Sequence, residues 1–237
     1  VVATAEAACP SGLPAIMSLA DALRRGAQQL LDIEPSELTV GIQPRRVGEV
    51  RTAAVYAADT LENGAGYAVE LAEPHRVSAV LNALLTDVAS RWTHGDHSTC
   101  DSSCPDCLRS WDNRHLHPLL DWRLALDLAE LAVGRPVTLK RWFDRSGALT
   151  AGFARAYSEA LEGLAVESVH SLDAITCGRV AVAIGHPLWR HDETGWNEDQ
   201  RQAANELRQR GLRVHMSDVR QLQRRPEGIY RLLVSDM

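Results

Sequence analysis

The chain has 237 residues, 45% of them hydrophobic and 24% charged, and 25 Lys and Arg against 31 Asp and Glu give a formal net charge of −6. This balance is ordinary for a globular protein with one or two cores. It excludes a nucleic-acid binder that works by net charge alone. No stretch approaches the ~20 apolar residues needed to span a bilayer, and no basic-then-apolar leader opens the chain. The expectation is a cytoplasmic protein with no membrane partner. Val1 stands where Met would begin a complete product, which points to a piece of something longer. Lys140 is the only lysine, so the basic chemistry is arginine chemistry, suited to phosphate forks and ion pairs.

Leu13 to Leu31 places Ile16, Leu19, Leu23, Leu30 and Leu31 at helical spacing, an amphipathic helix. Glu37 to Gln43 and Val50 to Ala58 read as strands joined by a turn at Pro44–Gly48. The loop Asn63-Gly64-Ala65-Gly66 opens a helix near Tyr67; its glycines suit a close-packed turn rather than a dinucleotide fingerprint, which needs a third glycine. A helix from Arg76 to Trp92 carries Val77, Val80, Leu81, Leu84 and Val88 on one face. Leu119 to Val133 is the next helix, stopped by Gly134-Arg135-Pro136. That break divides the chain into 1–136 and 137–237. Beyond it, Val137–Phe143 reads as a strand and Leu149–Leu161 as a helix. Ala165–Ser171 and Arg179–Ile184 read as strands, Glu198–Gln209 as a helix, Leu212–Met216 as a strand and Tyr230–Val234 as an edge strand. The fold class is α/β in the mixed α+β sense. A helix-rich metal-binding module precedes a smaller α/β domain whose sheet is mixed or parallel.

Between the two halves of the first module lies the densest chemistry, His97 followed by Cys100, Cys104 and Cys107. Three thiolates spaced C-x3-C-x2-C converge on one small ion, and soft sulfur in a tetrahedral cage suits Zn2+. A disulfide would leave one cysteine of the cluster over, and nothing suggests an oxidising compartment. The fourth position is open to His97, three residues before Cys100, with His94, His115 and His117 also near. A thiolate-rich site of this kind is closed and structural rather than catalytic. Cys9 is isolated and reads as an unpaired thiol near a frayed terminus, and Cys177, beside Gly178, reads as packing rather than a remote zinc ligand.

The stretch Cys100-Asp-Ser-Ser-Cys104-Pro-Asp-Cys107-Leu-Arg-Ser-Trp-Asp-Asn113, followed by His117-Pro-Leu-Leu-Asp121-Trp-Arg123, resembles the MrfA-type zinc-binding domain. Ser18–Asp32 is similar to that family's opening helix, and Asp59-Thr-Leu-Glu-Asn-Gly64-Ala-Gly66-Tyr67 to its glycine-rich turn. The resemblance covers about residues 13–133. It implies a zinc module at the C-terminus of a bacterial superfamily-two DNA helicase, of the kind found in DNA repair and phage defence. The family's site is described with four cysteines, whereas three cluster here.

The chain lacks what catalysis in such a system would need. No phosphate loop or motor box occurs, so ATP hydrolysis belongs to another segment or chain. Lys140 has no acid two residues before it, which excludes a restriction-type nuclease centre, and no His-x-Lys occurs. His186-Pro-Leu-Trp189, at the end of a buried strand, reads as packing. No catalytic residue is therefore assigned. The functional expectation is an accessory module that binds a single-stranded or forked DNA and contacts a helicase motor on the same or a separate chain. Arg45, Arg46, Arg51, Arg109, Arg114 and Arg123 are its phosphate contacts, and Trp111 is placed to stack on an unpaired base or to pack over the knuckle. Asp112, Asn113, His117 and Asp121 are expected to orient the loop and cap the helix after it. The competing expectation is a protein–protein scaffold that holds a helicase with little DNA contact, which the acidic balance favours.

Overall fold

A computed structural model describes residues 9–34, 36–47, 50–61, 64–94, 97 and 99–235; the side chains of Val47, Val50 and Arg51 are outside that description, as are Gly48 of the expected turn and Asn63 of the expected loop. The chain divides into two units; among the described residues, one is Gly12–Thr138 and the other comprises Cys9–Ser11 and the chain from Leu139 on.

In the first unit, α1 (Gly12–Leu31) buries Ala15, Ile16, Leu19, Ala22 and Ala27 along one stripe. It packs on α5 (Trp122–Ala132), which buries Leu124, Ala125 and Leu128. A polar link fixes their register. The Ser18 hydroxyl donates to Pro14 O at 2.7 Å and accepts from Asp121 N at 2.9 Å. Asp121 is fully buried and caps α5 by accepting from Arg123 N at 3.0 Å. Gly26 lets a third helix come close, because a Cβ there would lie 3.0 Å from Val80 Cγ1. That helix is α3 (Pro74–Ala83), which continues through a π turn at Leu84–Val88 into α4 (Ala89–Thr93). The single helix read over Arg76–Trp92 is thus widened in its middle.

β1 (Leu38–Val47) and β2 (Val50–Asp59) form an antiparallel hairpin. Both strands run further than the sequence suggests, since Pro44–Val47 are ladder residues rather than a turn. Pro is tolerated here because the two-stranded ribbon has edges on both sides. At the foot of the hairpin, Asp59 accepts from Gly66 N at 3.1 Å and from Ala68 N at 3.0 Å, which starts α2 (Tyr67–Ala72). Gly64 and Gly66 have φ of +65° and +88°, the left-handed conformation that glycine adopts without strain.

The second unit opens with α6 (Lys140–Tyr157), where the sequence suggests a strand over Val137–Phe143. Val, Thr, Trp and Phe favour strands locally. Trp142, Ser146, Thr150 and Phe153 nonetheless recur at helical spacing and are the residues α6 buries. The sheet that follows has the order β3 (Ala165–Val169), β4 (Leu172–Cys177), β5 (Val180–Gly185), β6 (Arg213–Asp218). The first three strands are antiparallel and β5–β6 is parallel, so the sheet is mixed. β4 has no counterpart in the sequence reading. Its hairpin turn is His170-Ser171, and His170 takes φ +53° where Gly or Asn would announce a turn. α7 (Glu198–Gln209) crosses from β5 to β6 and buries Ala203, Ala204 and Leu207 against Leu172, Ala174, Ala183 and Met216. The tail forms α8 (Val219–Arg224) and α9 (Pro226–Val234). α9 replaces the expected edge strand: Ile229 and Leu233 are its buried pair, four residues apart, and Pro226 starts it. His186 is fully buried, its ring 6.1 Å from Trp142 and 6.0 Å from Trp189, and Nδ1 accepts from Leu188 N at 3.1 Å. No helix among the described residues is long and apolar enough to cross a membrane.

Two substitutions test this packing. Asn197 and Gln200 form a reciprocal capping box at the start of α7, and Asn197→Ala is expected to cost about 1 kcal/mol. Trp142 is fully buried, and Trp142→Ala is expected to cost about 3–5 kcal/mol. Denaturant unfolding of each variant against the parent measures both.

Candidate metal centre

The knuckle is clamped at both ends by helices. Where it begins, α5 reaches back. Trp122 N donates to Ser102 O at 2.8 Å, Trp122 Nε1 to Cys100 O at 3.3 Å, and the Arg123 guanidinium to Asp101 O at 2.8 Å and Cys100 O at 3.2 Å. Where it ends, α1 takes hold. Arg25 Nη2 donates to Pro105 O at 2.9 Å and Arg109 O at 2.7 Å. Inside the turn, Cys107 N and Arg109 N both donate to Cys104 O, at 3.1 and 2.9 Å, and Cys104 N points at Cys107 Sγ at 3.1 Å. That last interaction places an N–H dipole on a sulfur that must carry negative charge when it holds a cation.

This scaffold brings His97, Cys100, Cys104 and Cys107 together, with one ligand atom of each within 4.8 Å of all the others. Ligands ~2.0–2.3 Å from a tetrahedral zinc are separated by about 4 Å, so small side-chain shifts close this set on an ion. The imidazole supplies the test of fit. Its Nδ1 lies 2.9 Å from Trp92 O, a group that only accepts, so Nδ1 carries the proton. Nε2 is buried and has no hydrogen-bond partner among the described residues. A buried lone pair left unsatisfied is costly unless a cation takes it, and this orientation of a histidine is the one metal sites use. Without a cation Cys100 and Cys107 favour their neutral form. Burial, the leading cause, raises the pKa of Cys107 far above the thiol range, and burial and the Cys104 thiolate raise that of Cys100. A divalent ion reverses that preference. A cleft of about 250 Å³, lined by Arg25, Gln29, Arg91 and Trp92, reaches His97 and Cys107 and gives the centre access to solvent.

The other histidines are elsewhere. His94 Nδ1 lies 2.8 Å from Thr93 Oγ1 and 3.0 Å from Ser90 O. His115 is exposed on a short 3-10 turn. His117 Nε2 lies 3.0 Å from both Ser110 O and Asn113 Oδ1. None of the three joins the cluster. Cys9 and Cys177 are buried outside it, and no disulfide occurs among the described residues.

Sequence reasoning misses the part α1 plays. Arg24 is buried and bonds Asp21 at 3.1 Å, Ser110 Oγ at 2.9 Å and the Asp112 carboxylate. Burial raises the pKa of Asp21, against the opposing pull of Asn113 and Arg24. Partial burial also works against ionisation of Asp112, but hydrogen bonds from Ser110 and Arg24 outweigh it and hold its carboxyl below the usual range. The one available signal is a charged i, i+3 pair, Asp21 and Arg24, on the apolar stripe of a helix.

The outward groups divide unevenly. Arg114 and Trp111 are exposed, and Trp111 does not pack over the knuckle. Arg109 is half-buried, with Nε donating to Ser103 Oγ at 3.0 Å. Arg45 and Arg46 are exposed on β1 near the hairpin end, Arg45 donating to Gln43 Oε1 at 2.7 Å. Arg123 departs from its expected role. It is 4% exposed, stacks on Trp122 at 4.2 Å and is committed to knuckle carbonyls, so it faces no strand.

Comparison with known proteins agrees with this centre. Residues 19–108 match the family model of the MrfA Zn-binding domain. The chain is also 33% identical over 123 residues to the Druantia protein DruE of Escherichia coli (strain UMEA 4076-1), a match that covers 50% of this chain and 6% of that protein. No solved structure matches. The centre is a zinc centre, and the resemblance to the MrfA Zn-binding domain holds over residues 19–108.

Proposed function

We propose that this chain is a zinc-stabilised accessory module of a DNA helicase or DNA-defence assembly, that it binds a DNA strand, single or forked, and that it contacts the motor. The observation that carries this reading is the knuckle itself, a zinc loop of the MrfA type followed directly in the chain by half-buried Arg109 and exposed Trp111 and Arg114. His97, Cys100, Cys104 and Cys107 hold the zinc. The ion's work is structural: it fixes the angle between α4 and α5, and its binding energy is also folding energy. Arg109 and Arg114 contact phosphates, with Arg45 and Arg46 on the hairpin as a second set. The ATP chemistry lies with the motor.

A second reading, a protein–protein scaffold with little DNA contact, is favoured by the net charge of −6 and by an apolar groove of about 630 Å³. Leu23, Val40, Tyr56, Leu71 and Val77 are among the groove's lining residues.

Elemental analysis of the folded chain is expected to give one zinc. Cys104→Ser is expected to lose it and to unfold the knuckle. His97→Cys, which restores a four-thiolate set, is expected to keep it, whereas His97→Ala binds zinc more weakly. Full zinc retention by both Cys104→Ser and His97→Ala would remove these ligands from the assignment.

Strand binding is checked by anisotropy titrations at several salt concentrations. Removing one arginine–phosphate pair lowers the magnitude of the log–log salt slope by about 0.7 on a single strand. Arg109→Glu with Arg114→Glu should weaken binding and flatten the slope at unchanged zinc content. A parent chain that fails to bind at low salt decides for the scaffold.

A further inference from the structure

We propose that Trp111 is a one-faced stacking platform, and that the nucleic-acid feature it takes is an unpaired base at a strand end or at a junction between single strand and duplex. This rests on the strand-binding reading and adds to it the structure being bound. The indole is 82% exposed, whereas Trp92, Trp122, Trp142 and Trp196 are each 5% exposed or less. A ring of this size is the least suited of side chains to stand in water without a partner.

Its loop is not slack. Ser110 N donates to Asn113 Oδ1 at 2.8 Å, and Asn113 Nδ2 donates to Leu108 O at 2.9 Å. His117 Nε2 meets Ser110 O at 3.0 Å, and Arg24 holds Ser110 Oγ and the Asp112 carboxylate. Asn113 is itself buried. The ring is therefore presented on a fixed pedestal four residues beyond Cys107, and little further ordering is required when a partner arrives.

One face of the ring is already taken. The Arg114 guanidinium carbon sits 4.7 Å from the ring centroid, in cation–π contact. A single π face stays open. Such a platform stacks on one base from one side. Intercalation between two base pairs needs both faces, and it would have to expel Arg114 and unstack a duplex step as well. A base at an end or a fork already offers one bare face. Asp112, the nearest acid in sequence, is bound to Arg24, which limits its repulsion of a nearby phosphate.

The test uses the full chain with zinc and a forked oligonucleotide that carries 2-aminopurine at the first unpaired position. The same label in mid single strand and inside a blunt duplex are the controls. The parent is expected to quench the junction label most. Trp111→Ala should lose that quenching and about 5- to 100-fold in fork affinity, with zinc content and unfolding midpoint unchanged. Trp111→Phe should keep most of both, and binding to the duplex interior should not move. If Trp111→Ala binds and quenches as the parent does while the Arg109/Arg114 double variant loses binding, the platform is overturned and the strand reading stands. The indole then belongs to a protein-facing surface. Quenching that is equal at junction and duplex interior also overturns it. A parent that binds no DNA at low salt removes the strand reading and the platform together.

Discussion

Three thiols and one imidazole held within 4.8 Å of each other make an arrangement that only a cation stabilises. Neutral, they leave a buried imidazole nitrogen without a partner; ionised, the three sulfurs repel one another at short range. The knuckle is mostly turn, and the bonds that α1 and α5 make to its carbonyls position the loop without satisfying that nitrogen or the sulfurs. Zinc satisfies the nitrogen and reverses the preference of Cys100 and Cys107 for the neutral form. The helices on either side inherit their geometry from that point.

Three arginines transmit it. Arg123 from α5 grips the carbonyls at the start of the loop, Arg25 from α1 those at its end, and Arg24 ties the segment after it to Asp21. A centre of three thiolates, a neutral imidazole and Zn2+ carries a net charge of about −1, and Arg25 and Arg91 line the cleft beside it. The helices therefore do two things at once. Their apolar faces make the core, and their cationic heads offset the charge of the ion's cage. A lysine would do this less well, since one ammonium cannot lie flat between two carbonyls as the planar fork does.

Much of this is legible in the residues, for identifiable reasons. Ligand spacing is a local property, so Cys100, Cys104 and Cys107 announce the ion directly. α1 and α7 are long and periodic, and the sequence marks their limits to within a residue. What it does not mark is short and depends on distant partners. Residues 137–143 look like a strand by side-chain type, and only the burial of Trp142 and Ser146 on one helical face decides for a helix. Residues 230–234 are apolar apart from Arg231, a short run that either structure could hold. β4 escapes notice because its turn rests on His170 in a conformation the residue type does not advertise. The choice among four histidines has no local solution either, because it depends on which ring the fold brings within reach of the three sulfurs.

The same partition bears on how an acidic chain can hold an acidic polymer. Arginines are not equivalent units of charge here. Arg24, Arg25 and Arg123 are committed to the fold, and counting them toward a nucleic-acid surface overstates it. Arg114 and Trp111 are exposed, and Arg109 partly so. A surface of that kind gains little from the long-range field, since the net charge of −6 opposes approach. On the proposed strand-binding reading, its affinity would come from short-range interactions, a few phosphate forks and one stacked base. Stacking is far less sensitive to salt than counterion release. A module built this way would bind weakly on its own and recognise the shape of a strand opening more than its charge. On the proposed reading, in which the module sits beside a motor, the motor would supply the grip and the module would recognise where the duplex ends.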